Sequence, residues 1–403
     1  MDNNEKSALR QLWDTFFSKS WPLWAGGILL AFLNVLLFLI RSPWGGSGTY
    51  MSWGENLYQK VGLLGLHDIT PVILHPYGLL GTLTLLGAFA GALMGRDFAV
   101  RIPPVGEMIK GFIGGALMAL GATLGIGCTI GGFLSGWAAL SGGAIVLAVG
   151  FLIGTYVALK YLFWEMEKFP KFSMGKSFTW FSAKGSSGVW QPILGVILTL
   201  VILIGFSLRF SADNVFAMFA ITGLIIGIIL QRSRFCIVRA FREPFMTGES
   251  EAPVAVMAAL AVGILGFTVI KYMGVGTSTP GGARALAMTW VYPNFWLKAL
   301  IGGTIFGMGM TVAGGCAVGT IWRAGEGHVK LWFSALGFLL ISPLSKKFIV
   351  PAFSNMMPEW AKQKLFLPDH LGYWGALLLF FVLLAGWYAF VKWNEKTGKF
   401  SAI

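Results

Sequence analysis

Long apolar runs, separated by short polar stretches rich in glycine and proline, recur along the whole chain. They cover residues 22–40, 74–95, 110–127, 143–160, 191–208, 214–230, 252–271, 296–313, 329–344 and 371–391. Each is close to the ~20 residues an α-helix needs to cross a bilayer core; those at 110–127 and 329–344 are short. Apolar positions are continuous for 17–22 residues and do not alternate, which argues against a transmembrane β-barrel. The pattern predicts an all-α polytopic membrane protein of about ten membrane helices, some of them short and broken. The first run, Trp21–Ile40, is longer than a signal-peptide core and has no obvious cleavage site, so it reads as a retained helix.

The polar stretches set the orientation. Basic residues gather in 96–110 (Arg96, Arg101, Lys110), in 160–184 (Lys160, Lys168, Lys171, Lys176, Lys184), in 231–242 (Arg232, Arg234, Arg239, Arg242) and in the tail (Lys392, Lys396, Lys399). Ten crossings put all of these on one side, with both termini cytoplasmic. Segments 41–73, 272–295 and 345–370 then face outward. They carry turn residues such as Ser42-Pro43, Trp44-Gly45-Gly46 and Pro280-Gly281-Gly282, and Lys346 and Lys347 depart from the rule. The expected organisation is a cytoplasmic N-terminal segment 1–20, a first membrane helix and outer loop 21–73, a transport domain 74–391 and a cytoplasmic tail 392–403.

An internal repeat lies inside that domain. At a constant offset of 188, Lys110, Ile113, Gly114, Gly115, Gly121, Thr123, Gly127, Cys128 and Gly131 match Lys298, Ile301, Gly302, Gly303, Gly309, Thr311, Gly315, Cys316 and Gly319. The copies occupy roughly 110–160 and 298–344. The span count sends them through the membrane in opposite senses, giving two pseudo-symmetric, inverted halves. Inverted repeats with glycine-broken helices place a transporter's site near the midplane between the copies.

Each copy carries an apolar helix, a Gly-Cys pair and a further small-residue stretch: Gly127-Cys128-Thr129 and Gly315-Cys316-Ala317. Glycine lets the chain leave the helix. Non-helical backbone at membrane depth survives only where it is buried in protein or lines a polar cavity. A helix restarting there aims N–H groups and a positive dipole end into the cavity. This is an anion site with a thiol at its lip. The competing reading is close packing through small-xxx-small contacts, which Gly111-xxx-Gly115 and Gly303-xxx-Gly307 fit. Two such pairs at equivalent places favour function.

Cys236 sits among Arg232, Arg234, Arg239 and Arg242. These four arginines form either a basic mouth that attracts anions or a positive-inside anchor. Nearby cations also raise a thiol's thiolate share. Arg323 and Glu326 are three apart, so on a helix they share a face and can pair, either for function or to hold an interfacial turn. Lys110 and Lys298 read as snorkelling helix-end cations, with anion guidance the alternative.

Composition narrows the class. Only 12% of residues are charged and 56% are apolar, against about 25% charged in soluble domains. That excludes a soluble enzyme, a disordered chain and a disulfide-rich secreted domain. The net charge of +13 sits at span ends and forms no nucleic-acid recognition pattern. Three widely spaced cysteines give no disulfide framework, and the four histidines, 67, 75, 328 and 370, give no metal triad. No Walker, HExxH or GxSxG sequence is present, so no enzyme, metal or cofactor is expected.

At these residues the chain resembles the YeeE/YedE family of bacterial inner-membrane proteins, and most its longer YedE-type members. The resemblance rests on the Gly-Cys motif at Cys128, on Arg232-x-x-x-Cys236 followed by Ala240-Phe241-Arg242, and on Gly-Gly-Cys316 followed by Arg323-Ala-x-Glu326-Gly; it covers roughly residues 75–345. It implies a compact helical fold and uptake of a small sulfur oxyanion, thiosulfate in the characterised branch. Cys128, Cys236 and Cys316 would line the route and pass the substrate inward through transient S–H···S contacts. The longer branch is linked to selenium metabolism, which implies a selenium species as the alternative cargo. Ala317-Val318 after the last cysteine departs from polar residues expected there. A second reading is a membrane sulfur carrier, with a persulfide on Cys236 passed to a soluble cytoplasmic partner. A third is a scaffold bundle with structural cysteines.

Overall fold

The computed structural model describes residues 11, 13–170, 175–182, 190–209, 214–273, 290–293, 295–358 and 363–401. Lys171, Lys184 and the Pro280-Gly281-Gly282 turn lie outside them.

The first helices are α1 (Leu23–Ile40), α2 (Gly46–Val61), α3 (Pro76–Met94), α4 (Val105–Leu124) and α5 (Gly142–Lys168). They are followed by α6 (Trp190–Arg209), α7 (Asn214–Ser233), α8 (Ile237–Met246) and α9 (Glu251–Tyr272). The chain ends with α10 (Leu297–Ala313), α11 (Ala317–Gly325), α12 (Val329–Leu344), α13 (Val350–Asn355) and α14 (Pro368–Thr397). Among the described residues ten helical stretches are long and apolar enough to cross a membrane, one at each run read from the sequence. Two three-residue strands, β1 (Val100–Ile102) and β2 (Phe178–Trp180), pair antiparallel with Arg101 opposite Thr179.

Local chemistry explains the boundaries. Proline at the first position of α3 costs no hydrogen bond, because that N–H has no partner inside a helix. His75 caps the same helix by accepting from the Gly78 N–H at 3.2 Å. Gly62 closes α2 in the left-handed region that glycine alone reaches freely.

Two expectations change. The outer loop 41–73 contains α2, which buries Thr49, Tyr50 and Ser52 inside the bundle. The arginine-rich segment after α7 is no loop, because α8 begins at Ile237 and carries Arg239 and Arg242.

The helices pack by exchange between sequence halves. α3 lies on α7, and α9 on α1. α12 lies on α4, and α10 on α5; the first helices of the two repeat copies, α4 and α10, pack on each other. Glycines permit this approach. A Cβ on Gly114 would stand 2.7 Å from the Gly309 carbonyl oxygen, and one on Gly309 would stand 2.6 Å from that of Gly114. Gly303 and Gly307 meet the backbone of α5 in the same way, so the packing reading of these glycines holds. α6 exposes Leu200, Val201, Ile204 and Leu208. A soluble monomer rarely shows so broad an apolar face, and lipid covers it at no cost.

Candidate functional site

Three of the ten stretches, Val105–Ala138, Val215–Met246 and Leu297–Gly325, run through a break at which a cysteine stands, whereas Pro368–Thr397 kinks at Gly372 without one. Cys128 precedes a π-helical turn, Thr129–Leu134, while Cys236 and Cys316 occupy the N-cap positions of α8 and α11. All three have extended backbone angles, so each thiol sits where unpaired N–H groups collect. A fourth break follows α1, and Gly45 is the N-cap of α2.

Gly127 and Gly315 lie in the non-helical breaks as expected, but neither is the left-handed residue. The left-handed residues are Ile126 (φ 50°) and Gly314 (φ 79°), which are 188 positions apart. One copy therefore holds a β-branched residue where the other has glycine.

The thiols converge. Cys236 Sγ and Cys316 Sγ are 3.9 Å apart, far beyond a bonded pair, and all three cysteines are free and buried. The Gly319 N–H donates to Cys316 Sγ at 3.3 Å. A Cβ on Gly319 would come within 2.7 Å of Cys236 Sγ and 3.3 Å of Cys316 Sγ, so this glycine keeps the gap between the thiols open. Cys128 borders Gly46, whose added Cβ would lie 3.6 Å from its sulfur. Tyr50 OH donates to the Ala317 carbonyl at 2.7 Å. The hydroxyls of Thr129 and Thr320 are buried, Thr129 beside the Cys316 thiol and Thr320 beside the Tyr50 hydroxyl.

The five arginines separate in role. Arg232 is buried and clamped: it donates to the Phe17 carbonyl and pairs with Asp97. Arg239 pairs with Glu243 at 2.5 Å. Arg234 is exposed and, among the described residues, makes no ion pair. Arg242 is largely buried with an unpartnered Nε, and Arg323 donates to the Gly314 carbonyl at 2.8 Å. Arg323 and Arg242 both act electrostatically on the Cys236 surroundings.

The expected Arg323–Glu326 contact is absent from the ion pairs of the described residues. α11 ends at Gly325, so Glu326 leaves the helical face and lies 3.5 Å from His328 instead. Burial, reinforced by Arg101 and Arg323, pushes His328 down to about 4, and burial raises Glu326. The imidazole is thus neutral near pH 7, and the contact is polar rather than ionic. Lys110 is held by Glu107 and by Glu165 at 3.0 Å, and Lys298 donates to Ser354 at 2.8 Å. Both are tied rather than snorkelling.

Tyr50, Gly46, Gly319 and Thr320 escaped the sequence reading. Gly319 carried a signal, as a matched repeat position three residues after Cys316. Tyr50 and Gly46 lay in a stretch read as loop.

Residues 1–157 and 232–402 match a family described as sulphur transport. The chain is 25% identical over 391 residues to the probable transporter YedE of Escherichia coli, covering 94% of each. It is 32% identical over 126 residues to the thiosulfate transporter TsuA of Escherichia coli, covering 31% of this chain and 33% of that protein. Against the thiosulfate transporter TsuA of Spirochaeta thermophila the identity is 33% over 116 residues, 29% of this chain and 32% of the relative.

Proposed function

The chain belongs to the sulphur transport family, and from that premise we propose that it imports a small sulfur oxyanion, thiosulfate first, along a path lined by Cys128, Cys236 and Cys316. The observation that carries this reading is the 3.9 Å approach of the Cys236 and Cys316 sulfurs across the side-chain-free Gly319. The setting is the inner membrane of a bacterium, with both termini cytoplasmic and the two halves inverted.

Thiols suit this cargo. A protonated thiol donates a weak hydrogen bond. Its polarizable sulfur matches the soft terminal sulfur of thiosulfate, whereas sulfate offers only hard oxygens. The buried Thr129 and Thr320 hydroxyls, beside Cys316 and Tyr50, supply donors for the oxygen end. Each handover exchanges one set of hydrogen bonds for another, so no covalent bond forms or breaks. Thr129 lies beside Cys128, and Arg242 and Arg323 lie beyond Cys236; their positive potential draws the anion toward the cytoplasmic side. Gly127 and Gly315 keep the backbone before each repeat cysteine free of side chains.

Burial weighs against the carrier reading. Cys236 is 3% exposed, and a persulfide there has no direct access to a soluble partner. The test is uptake of labelled thiosulfate by proteoliposomes, with selenite and sulfate as competitors. Wild type accumulates thiosulfate and is inhibited little by sulfate; Cys236→Ala and Cys316→Ala lose uptake at normal protein levels. Stronger competition by selenite than by unlabelled thiosulfate would reassign the cargo to selenium. Mass spectrometry finding a persulfide on Cys236 during turnover would restore the carrier.

A further inference from the structure

On the face where α1 ends and α3 begins there is a cavity of about 430 Å³, where Arg41, Ser42, Thr70, His75 and Tyr77 meet the apolar Leu74, Pro76 and Phe216. We propose that this cavity is a docking site for a small oxyanion at the uptake mouth, with Arg41 as its cation and Tyr77 separating it from the Cys128 break. The proposal deepens the transport reading and rests on its orientation, which makes this the outer face.

Arg41 is the first residue after α1. Its guanidinium makes no hydrogen bond or ion pair among the described residues, unlike the other cations of this face. Lys346 pairs with Glu55 at 2.7 Å and Lys347 donates to the Leu64 carbonyl at 2.5 Å. A cation lining a cavity with no carboxylate of its own is available to an anion that enters.

The neighbours are donors. The His75 Nδ1 accepts from the Gly78 N–H, so in the neutral ring the proton is on Nε2, which is left to donate. Burial holds the imidazole below its usual range; Glu55 opposes this, while Arg41 and Lys346 reinforce it. The Thr70 and Ser42 hydroxyls complete the polar wall, and Tyr77 OH donates to Ser42 Oγ at 3.0 Å.

The cavity's inner wall borders the residues around the first thiol. The Tyr77 ring lies against Gly45 and Gly48, at 3.9 and 3.1 Å from the Cβ each would carry. Gly45 Cα is 3.2 Å from a Cβ built on Gly131, and Gly46 borders Cys128. One aromatic side chain and a glycine-only stretch thus lie between the cavity and the first thiol. On the opposite face Arg234 takes the corresponding place, directly after α7 and ahead of Cys236, and is likewise unpaired among the described residues.

The test is equilibrium binding of thiosulfate, and separately of sulfate, to the purified full-length protein by titration calorimetry. Thiosulfate uptake by the same preparations in proteoliposomes runs in parallel. Arg41→Gln weakens thiosulfate binding about tenfold or more, as expected for loss of one charged hydrogen-bonding partner. It raises the KM for uptake and leaves the maximal rate within about twofold. Arg41→Lys recovers most of the affinity, which separates charge from folding. Lys346→Gln leaves both unchanged. Equal affinity in wild type and Arg41→Gln overturns the site, as does a wild type that binds neither anion. Failure of uptake with binding intact and Arg41-dependent leaves the site standing and overturns thiosulfate transport instead.

Discussion

The gap between the Cys236 and Cys316 sulfurs depends on an absent side chain. Gly319→Ala places a methyl 2.7 Å from Cys236 Sγ, closer than real Cβ contacts allow, so uptake falls about tenfold or more while protein level holds. Gly386→Ala, where nothing lies within 4 Å, is the matched control and transports normally. The left-handed residues make a second contrast. A non-glycine residue pays about 1–2 kcal/mol for this conformation, so Ile126→Gly is neutral or stabilising despite the entropy glycine adds to the unfolded chain. Gly314→Ala, which meets no steric neighbour, loses about 1 kcal/mol from backbone strain alone. Thermal unfolding in detergent reads both. The three cysteines and the Gly-Cys pattern were legible because chemistry of that kind is written in residue type. The left-handed positions were not, because the glycine cue points one residue too far in both copies. Nor was the Arg323–Glu326 exchange, because it depends on where α11 stops.

At the scale of elements, glycine stripes decide which helices touch. Gly114→Leu drives a side chain into the α10 backbone and destabilises the protein by about 1–3 kcal/mol or more, the range for overpacking a filled interior. Uptake is then lost together with the folded population, unlike in the Gly319 variant. The start of α12 carries a pH dependence. His328 takes up a proton in the unfolded chain near its ordinary 6.5 but only at about 4 when folded. Between those values the unfolded state binds more protons, so the melting temperature falls as pH drops from about 6.5 to 4. Burial raises Glu326, which acts in the opposite sense around the ordinary carboxylate range and flattens the lower end. His328→Gln reduces the slope above pH 5, measured by melting temperature across the window. The long spans were readable from hydrophobic run length. α2 was not, because Ser47, Thr49, Ser52, Glu55 and Asn56 keep its sequence polar and only the bundle around it provides a reason to bury it.

For the whole molecule, orientation decides whether the Arg41 cavity and the Arg242–Arg323 region are the beginning and end of one path or the reverse. Basic residues follow the ends of α3, α5 and α14 and surround α8, and the opposite face carries fewer. On the proposed orientation, positive-inside bias makes the face of Arg96, Arg101 and Lys392 cytoplasmic. The repeat was visible in the sequence as a fixed offset, but the exchange of helices between halves was not, since an offset says nothing about which surfaces meet. That exchange matters for the path: α4 and α10 pack on each other, so the Cys128 and Cys316 breaks cannot be separated without opening the centre of the bundle. A reporter tests the orientation directly. Alkaline phosphatase, active only outside the cytoplasm, is inactive when fused after Ile403 and active when inserted after Gly65, between α2 and α3; a fluorescent protein that matures only in the cytoplasm gives the opposite pair. The reverse result would turn the Arg41 cavity into the release side. The positive potential around Arg242 and Arg323 would then face the incoming anion, and export would become the direction the charge distribution favours.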